Sequence, residues 1–192
     1  MTTRITSLTR PSTTSILCLT LLSSLIIATP LLAAEKPAHH ADHQPTTLAT
    51  LVEQVRQGTQ QYTDVNNATA AGYGPFLGCV AGTDHGAMGI HYVNGTLLGN
   101  LTLDPAQPQA LIYEPSNGKM TLVGVEFILD SASWLAANNN TPPVLDGQVF
   151  NFVGAPNRFN IPSFFELHVW AWRDNPQGAF VDWNNNVTCA GQ

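Results

Sequence analysis

The chain has 192 residues, of which 44% are hydrophobic and only 10% charged, and it carries a formal net charge of −6. That length suits one domain, and so few charges exclude a chain held unfolded by self-repulsion. The acidic balance excludes nucleic-acid binding, which needs cations to neutralise phosphates. Three cysteines are too few for a disulfide-dense miniprotein or a four-cysteine zinc site.

Arg4 and Arg10 are the only charges before Glu35. An apolar run from Ile16 to Ala28 follows, and small residues stand at Ala33 and Ala34. A basic end, a short apolar stretch and a small-residue exit predict a signal peptide over residues 1–34, with an uncleaved anchor as the competing reading. The run is too short and too interrupted to span a bilayer comfortably, and no later stretch is long enough. The expected mature protein is soluble and exported, periplasmic or secreted, with no membrane span.

Residues 35–46, EKPAHHADHQPT, read as a flexible leader. Its His39, His40 and His43 either bind a divalent metal loosely or are simply solvated. Residues 47–192 are expected to form a single domain. Leu48, Leu51, Val52, Val55, Tyr62 and Val65 recur at three- and four-residue steps, which predicts a helix with one apolar face. Gly58 weakens its middle, so two pieces are allowed. The pattern stops at the breaker Gly72-Tyr73-Gly74-Pro75.

Beyond Pro75, runs rich in β-branched and aromatic residues predict strands over 88–93, 110–113, 120–129, 148–153 and 164–172. Ser116-Asn117-Gly118-Lys119 reads as a hairpin turn. A short helix is predicted over 131–138, capped by Ser131. Sequential strands with short connections imply antiparallel pairing. The fold class is therefore α+β: an N-terminal helix packed on a curved, mostly antiparallel sheet or a partial barrel.

Alternation along the strands assigns faces. Val123, Val125, Phe127 and Leu129 share one face, with Glu126 on the other. Glu166, His168, Trp170 and Trp172 share a face of the last strand, and His91 faces away from Tyr92. Three strands thus each carry ionisable groups among apolar neighbours. A buried lone carboxylate is costly and becomes tolerable beside a cation, a histidine or a metal. His91, Glu126 and His168, completed by Glu166 or His85, suit a divalent zinc, iron, manganese or copper ion. If they share one ion, their side chains should lie about 3 to 5 Å apart, since each metal bond is about 2 Å. The competing readings are a metal-free polar pocket, or separate positions with Glu126 paired to Arg158 or Arg173. No spacing here is a specific metal signature.

Gly78 to Asn94, GCVAGTDHGAMGIHYVN, is a glycine-rich loop leading into a strand. It lets backbone approach a ligand, or serves only as a turn. Tyr92, Trp170 and Trp172 are candidates for an aromatic-lined ligand pocket, against a plain packing role. Cys79 and Cys189 are expected to pair in an oxidising compartment, closing a loop of about 110 residues, or to remain separate thiols.

The segments GCVAGTDHGAMGIHYVN, PQALIYEPSNGKMTLVGVEFIL and FELHVWAWRDNPQGAFVDWNNNVTC together resemble a widespread group of exported bacterial proteins of uncharacterised activity. The resemblance runs from about Thr47 to Cys189. It implies export and a single domain, and it assigns no catalytic residue. Two functions are expected to compete, with a small molecule or metal ion as partner: an exported His/Glu metal-binding protein of unspecified reaction, or a non-catalytic periplasmic small-molecule module. An envelope-associated interaction protein is a third class.

Overall fold

A computed structural model describes residues 47–192. The expected signal peptide and leader lie outside the described residues. The N-terminal helical region is broken, as the sequence allows. Helix α1 spans Thr47–Thr59, a 3-10 turn spans Gln60–Thr63, and α2 spans Val65–Ala70. The break follows Thr59, whose hydroxyl donates to the Val55 carbonyl at 2.7 Å. Asp64 then caps α2 by accepting from Asn66 N. Gly58 has a different reason to be glycine: a Cβ there would lie 2.4 Å from the Ala106 Cα, so the glycine admits a crossing loop.

Eight strands follow. They are β1 (Tyr73–Ala81), β2 (Ala87–Asn94), β3 (Ala110–Ser116), β4 (Lys119–Asp130), β5 (Val144–Leu145), β6 (Gln148–Val149), β7 (Asn151–Val153) and β8 (Phe164–Val169). Short helices α3 (Gly95–Leu98) and α4 (Ser131–Ala137) lie between them. Six strands form one antiparallel sheet in the order β1-β2-β3-β4-β8-β7, and β5 with β6 forms a separate hairpin. The sheet is open, with β1 and β7 at its edges, so the partial-barrel option is corrected to an open α+β sheet.

The β3–β4 hairpin turns through Asn117 (φ 50°) and Gly118 (φ 74°), as the motif predicts. Other details depart from expectation. β1 begins inside the breaker motif. It is an edge strand with exposed residues through its centre, so it lacks apolar alternation, and the edge position tolerates Pro75. The run 148–153 divides into β6 and β7, paired to different partners on either side of the buried Phe150. The α4 cap is Asp130, which accepts from Ser133 N at 2.8 Å, rather than Ser131.

One face of the sheet packs on the helices. Leu51 and Val55 of α1 and Ala68 of α2 meet Leu111, Tyr113, Val125, Phe127, Leu129, Leu167 and Val169, all buried. Tyr113 Oη donates to the Tyr62 carbonyl at 2.6 Å, and Trp172 Nε1 donates to Thr59 Oγ1 at 3.0 Å. These bonds fix the helices on the sheet. The other face carries a small apolar cluster of Ala87, Ile112, Val123, Trp170 and Val187. Cys79 and Cys189 form a disulfide that ties the end of the chain to β1.

Candidate metal centre

The second face of the sheet is where the ionisable residues gather. Register explains how. β4 and β8 pair Glu126 directly with His168, and Ile128 with Glu166. On β3, Ala110 lies opposite Glu126, and Ile112 lies opposite both Gly124 and His91. His91 is therefore two strands from Glu126, with β3 between. The small side chain of Ala110 leaves room over β3, and His91 Nε2 lies 3.2 Å from Glu126 Oε2. Gly124 is required by the same packing: a Cβ there would lie 2.9 Å from the Val169 carbonyl and 3.1 Å from the Trp170 ring.

His168 is 1% exposed, Glu126 4%, Glu166 5% and His91 8%. The rings of His91 and His168 meet edge to face at 5.7 Å, and Trp170 stacks on His168 at 6.0 Å. Behind His168 stands Asp182, whose Oδ1 is 3.8 Å from His168 Nδ1 and accepts from Asn151 Nδ2 at 3.0 Å. That 3.8 Å is too long for a hydrogen bond. Neither ring nitrogen of His168 has a hydrogen-bond partner among the described residues. A buried polar atom left so costs about 1–3 kcal/mol, and in a native protein its explanation is a bound water or ion, stored strain or a functional role.

Burial dominates the electrostatics. It lowers the His91 pKa to about 4 and holds His168 well below its ordinary value, with the neighbouring His91 adding to the effect. It raises Glu166 to about 7. Glu126 is held well above its ordinary value by burial first, and then by the charge of Glu166 and a hydrogen bond to it. Asp182 is also raised by burial. Burial thus disfavours the charged form of both partners in the His91–Glu126 contact, which weakens it as an ion pair. Neutral imidazoles are the form that binds metals.

Two sets of ligand atoms lie within 4.8 Å of one another: His91, Glu126 and His168, and Glu166, His168 and Asp182. Two ligands on one ion stand at most about 4 Å apart, so small side-chain movements would close either set. The chemistry of the donors, two imidazoles with carboxylates, can hold a first-row transition-metal ion. No family model, curated protein or solved structure matches the chain.

The structure brings His91, Glu126, Glu166 and His168 together. It does not bring His85 to them. His85 lies exposed in the turn between β1 and β2, where Gly82 N bonds the Gly86 carbonyl, and its ring stands 6.4 Å from the Trp183 ring. The aromatic trio is also separated. Tyr92 packs on Tyr113 on the helix face, centroids 4.9 Å apart. Trp170 is buried on the opposite face, donating Nε1 to the Val181 carbonyl. Trp172 turns to the helix side, because β8 ends at Val169 and Trp170 N bonds the Ala179 carbonyl instead of continuing the ladder.

Val123 likewise leaves the face of Val125, because a register shift in the β3–β4 pairing falls beside it. The alternative ion pairs for Glu126 are also absent among the described residues. Arg173 bonds Glu114 at 2.5 Å, and Arg158 lies over the rings of Phe159 and Trp183. Asp182 is a further acid at this centre, outside the expected ligand set. Its one sequence signal is an acid set between Val181 and Trp183, the same apolar setting that singles out Glu126.

Proposed function

We propose that this is an exported metal-binding protein that holds one divalent transition-metal ion, of the zinc, iron, manganese or copper class, on His91, Glu126 and His168. The observation that carries this reading is the buried His168 imidazole with no hydrogen-bond partner for either nitrogen among the described residues, set beside a second buried imidazole and buried carboxyl groups. Nδ1 is the nitrogen near Asp182, so Nε2 is assigned to the metal and Asp182 to orienting the ring, the arrangement usual for metal-bound histidines. Glu166 is buried beside these three ligands, which leave the fourth coordination position open. Imidazole donors select against magnesium and calcium, which prefer oxygen.

Export is supported by the basic and apolar N-terminal pattern and by the Cys79–Cys189 disulfide. Among the described residues no helix is long and apolar enough to cross a membrane.

Calorimetric titration of chelator-treated protein with zinc tests the site. One ion per chain is expected, with His91→Ala and His168→Ala each weakening binding at least 100-fold. Equal affinity in wild type and both variants would refute the assignment.

A further inference from the structure

The face that carries the ligands also carries an apolar path to them. A cavity of about 50 Å³ has His91, Glu126 and Glu166 in its wall. A second cavity, of about 350 Å³, lies beside it. Phe76, Val93, Ile128, Ile161 and Phe164 line both, so the two cavities adjoin across these side chains. Leu98 and Pro162 extend its outer walls, and Phe76, 42% exposed, stands at its rim.

The arrangement is sharply divided. The outer part is almost wholly apolar, and the inner end is formed by a metal ligand set with a buried imidazole and carboxyl groups. The inner cavity is too small for more than a few atoms, whereas the outer one is in the size range of small-molecule pockets. Asp130 and Ser163 are the polar residues of the outer wall, too few to pair the many polar groups of a sugar or a charged peptide. Walls of this kind suit a molecule with a long apolar body and one polar end, and His91, Glu126 and Glu166 offer that end its polar partners.

We propose that the cavity binds an apolar small molecule, aliphatic or aromatic, whose single terminal oxygen-donor group ligates the metal held by His91, Glu126 and His168. This rests on the metal reading above. The Phe76, Ile161 and Phe164 walls select the apolar body. The open coordination position selects the head.

The test uses the full mature protein, disulfide intact and loaded with cobalt(II), titrated with acetohydroxamate and with octanohydroxamate. Binding is read by calorimetry and by the visible spectrum of the cobalt. Each buried methylene is worth a factor of about four. Octanohydroxamate is expected to bind at least 100-fold tighter than acetohydroxamate, and both are expected to perturb the cobalt spectrum. Leu98→Asp, on the outer cavity only, is expected to erase at least tenfold of the chain-length advantage while leaving cobalt stoichiometry and acetohydroxamate affinity within twofold.

Equal affinity for the two hydroxamates on cobalt-loaded protein overturns the ligand class and leaves the metal reading standing. Octanohydroxamate binding as tight to metal-free protein overturns the placement of the head. Failure to take up cobalt overturns both readings.

Discussion

The two faces of the sheet are built from the same strands and differ in what their side chains require. The helix face is uniformly apolar, and Phe127, Val125, Leu129 and Val169 on it are fully buried under α1 and α2. The opposite face buries His91, Glu126, Glu166 and His168 beneath the C-terminal segment, with a cavity alongside. The first face gains stability from every contact. The second sacrifices stability, because its polar groups are desolvated and His168 lacks partners. Strand alternation lets one sheet do both, so that a change on one face should be felt differently from a change on the other.

The largest expected effect is on the device that holds the C-terminal segment over the second face. Replacing Cys79 and Cys189 by serine removes a link across 110 residues, and a loss of about 4–5 kcal/mol is expected in urea denaturation on the chain-entropy account. Metal affinity should fall with it, because Asp182 travels on that segment. Next, Phe127→Ala on the helix face should cost about 3–5 kcal/mol by the same measurement. His168→Ala, equally buried, should cost metal-free protein less than about 2 kcal/mol, since it removes an unsatisfied polar group along with its packing. Similar losses for these two variants would break the contrast between the faces.

A smaller effect is expected at Asp182. Asp182→Asn keeps the bond from Asn151 within reach but removes the charge that faces His168 Nδ1. Zinc affinity should drop 10–100-fold with stability nearly unchanged. An unchanged affinity would remove Asp182 from the centre.

The smallest expected effect is in pH dependence, measured on chelator-treated protein. Glu166 has a folded value of about 7 against an ordinary 4.5, so the folded state holds a proton that the unfolded state releases. That contribution makes stability fall as pH rises from about 4.5 to 7. His91, at about 4 against 6.5, acts in the opposite sense: the unfolded state binds the extra proton, and stability rises between about pH 4 and 6.5. Glu166→Gln deletes the falling contribution. The variant should gain on wild type by on the order of 1–2 kcal/mol between pH 5 and 7. A constant difference across that range would show that Glu166 titrates normally.

Much of this contrast was legible in the residues. Alternation in β4 and β8 placed Glu126 and His168 opposite the apolar face, and it did so because side-chain period depends only on local backbone geometry. Pairing Cys79 with Cys189 followed from counting. What alternation could not reach was anything that interrupts it. The register shift beside Val123 moved one residue to the wrong face. The chain turned at Trp170, so Trp172 went to the helices, and β1 hid its strand character at an exposed edge. Asp182 joins the cluster through a contact with Asn151, 31 residues away in sequence, which no local pattern encodes. His85, by contrast, looked chemically suited and sits at the far end of a turn. Residue type suggested a role there, and position denied it.

The most direct measurement is anomalous diffraction at the metal's absorption edge from crystals of zinc- or iron-loaded protein. One peak is expected about 2.0–2.2 Å from nitrogens of His91 and His168 and an oxygen of Glu126. A peak only at His85 or at the N-terminal histidines, or no peak at all, would contradict the central claim.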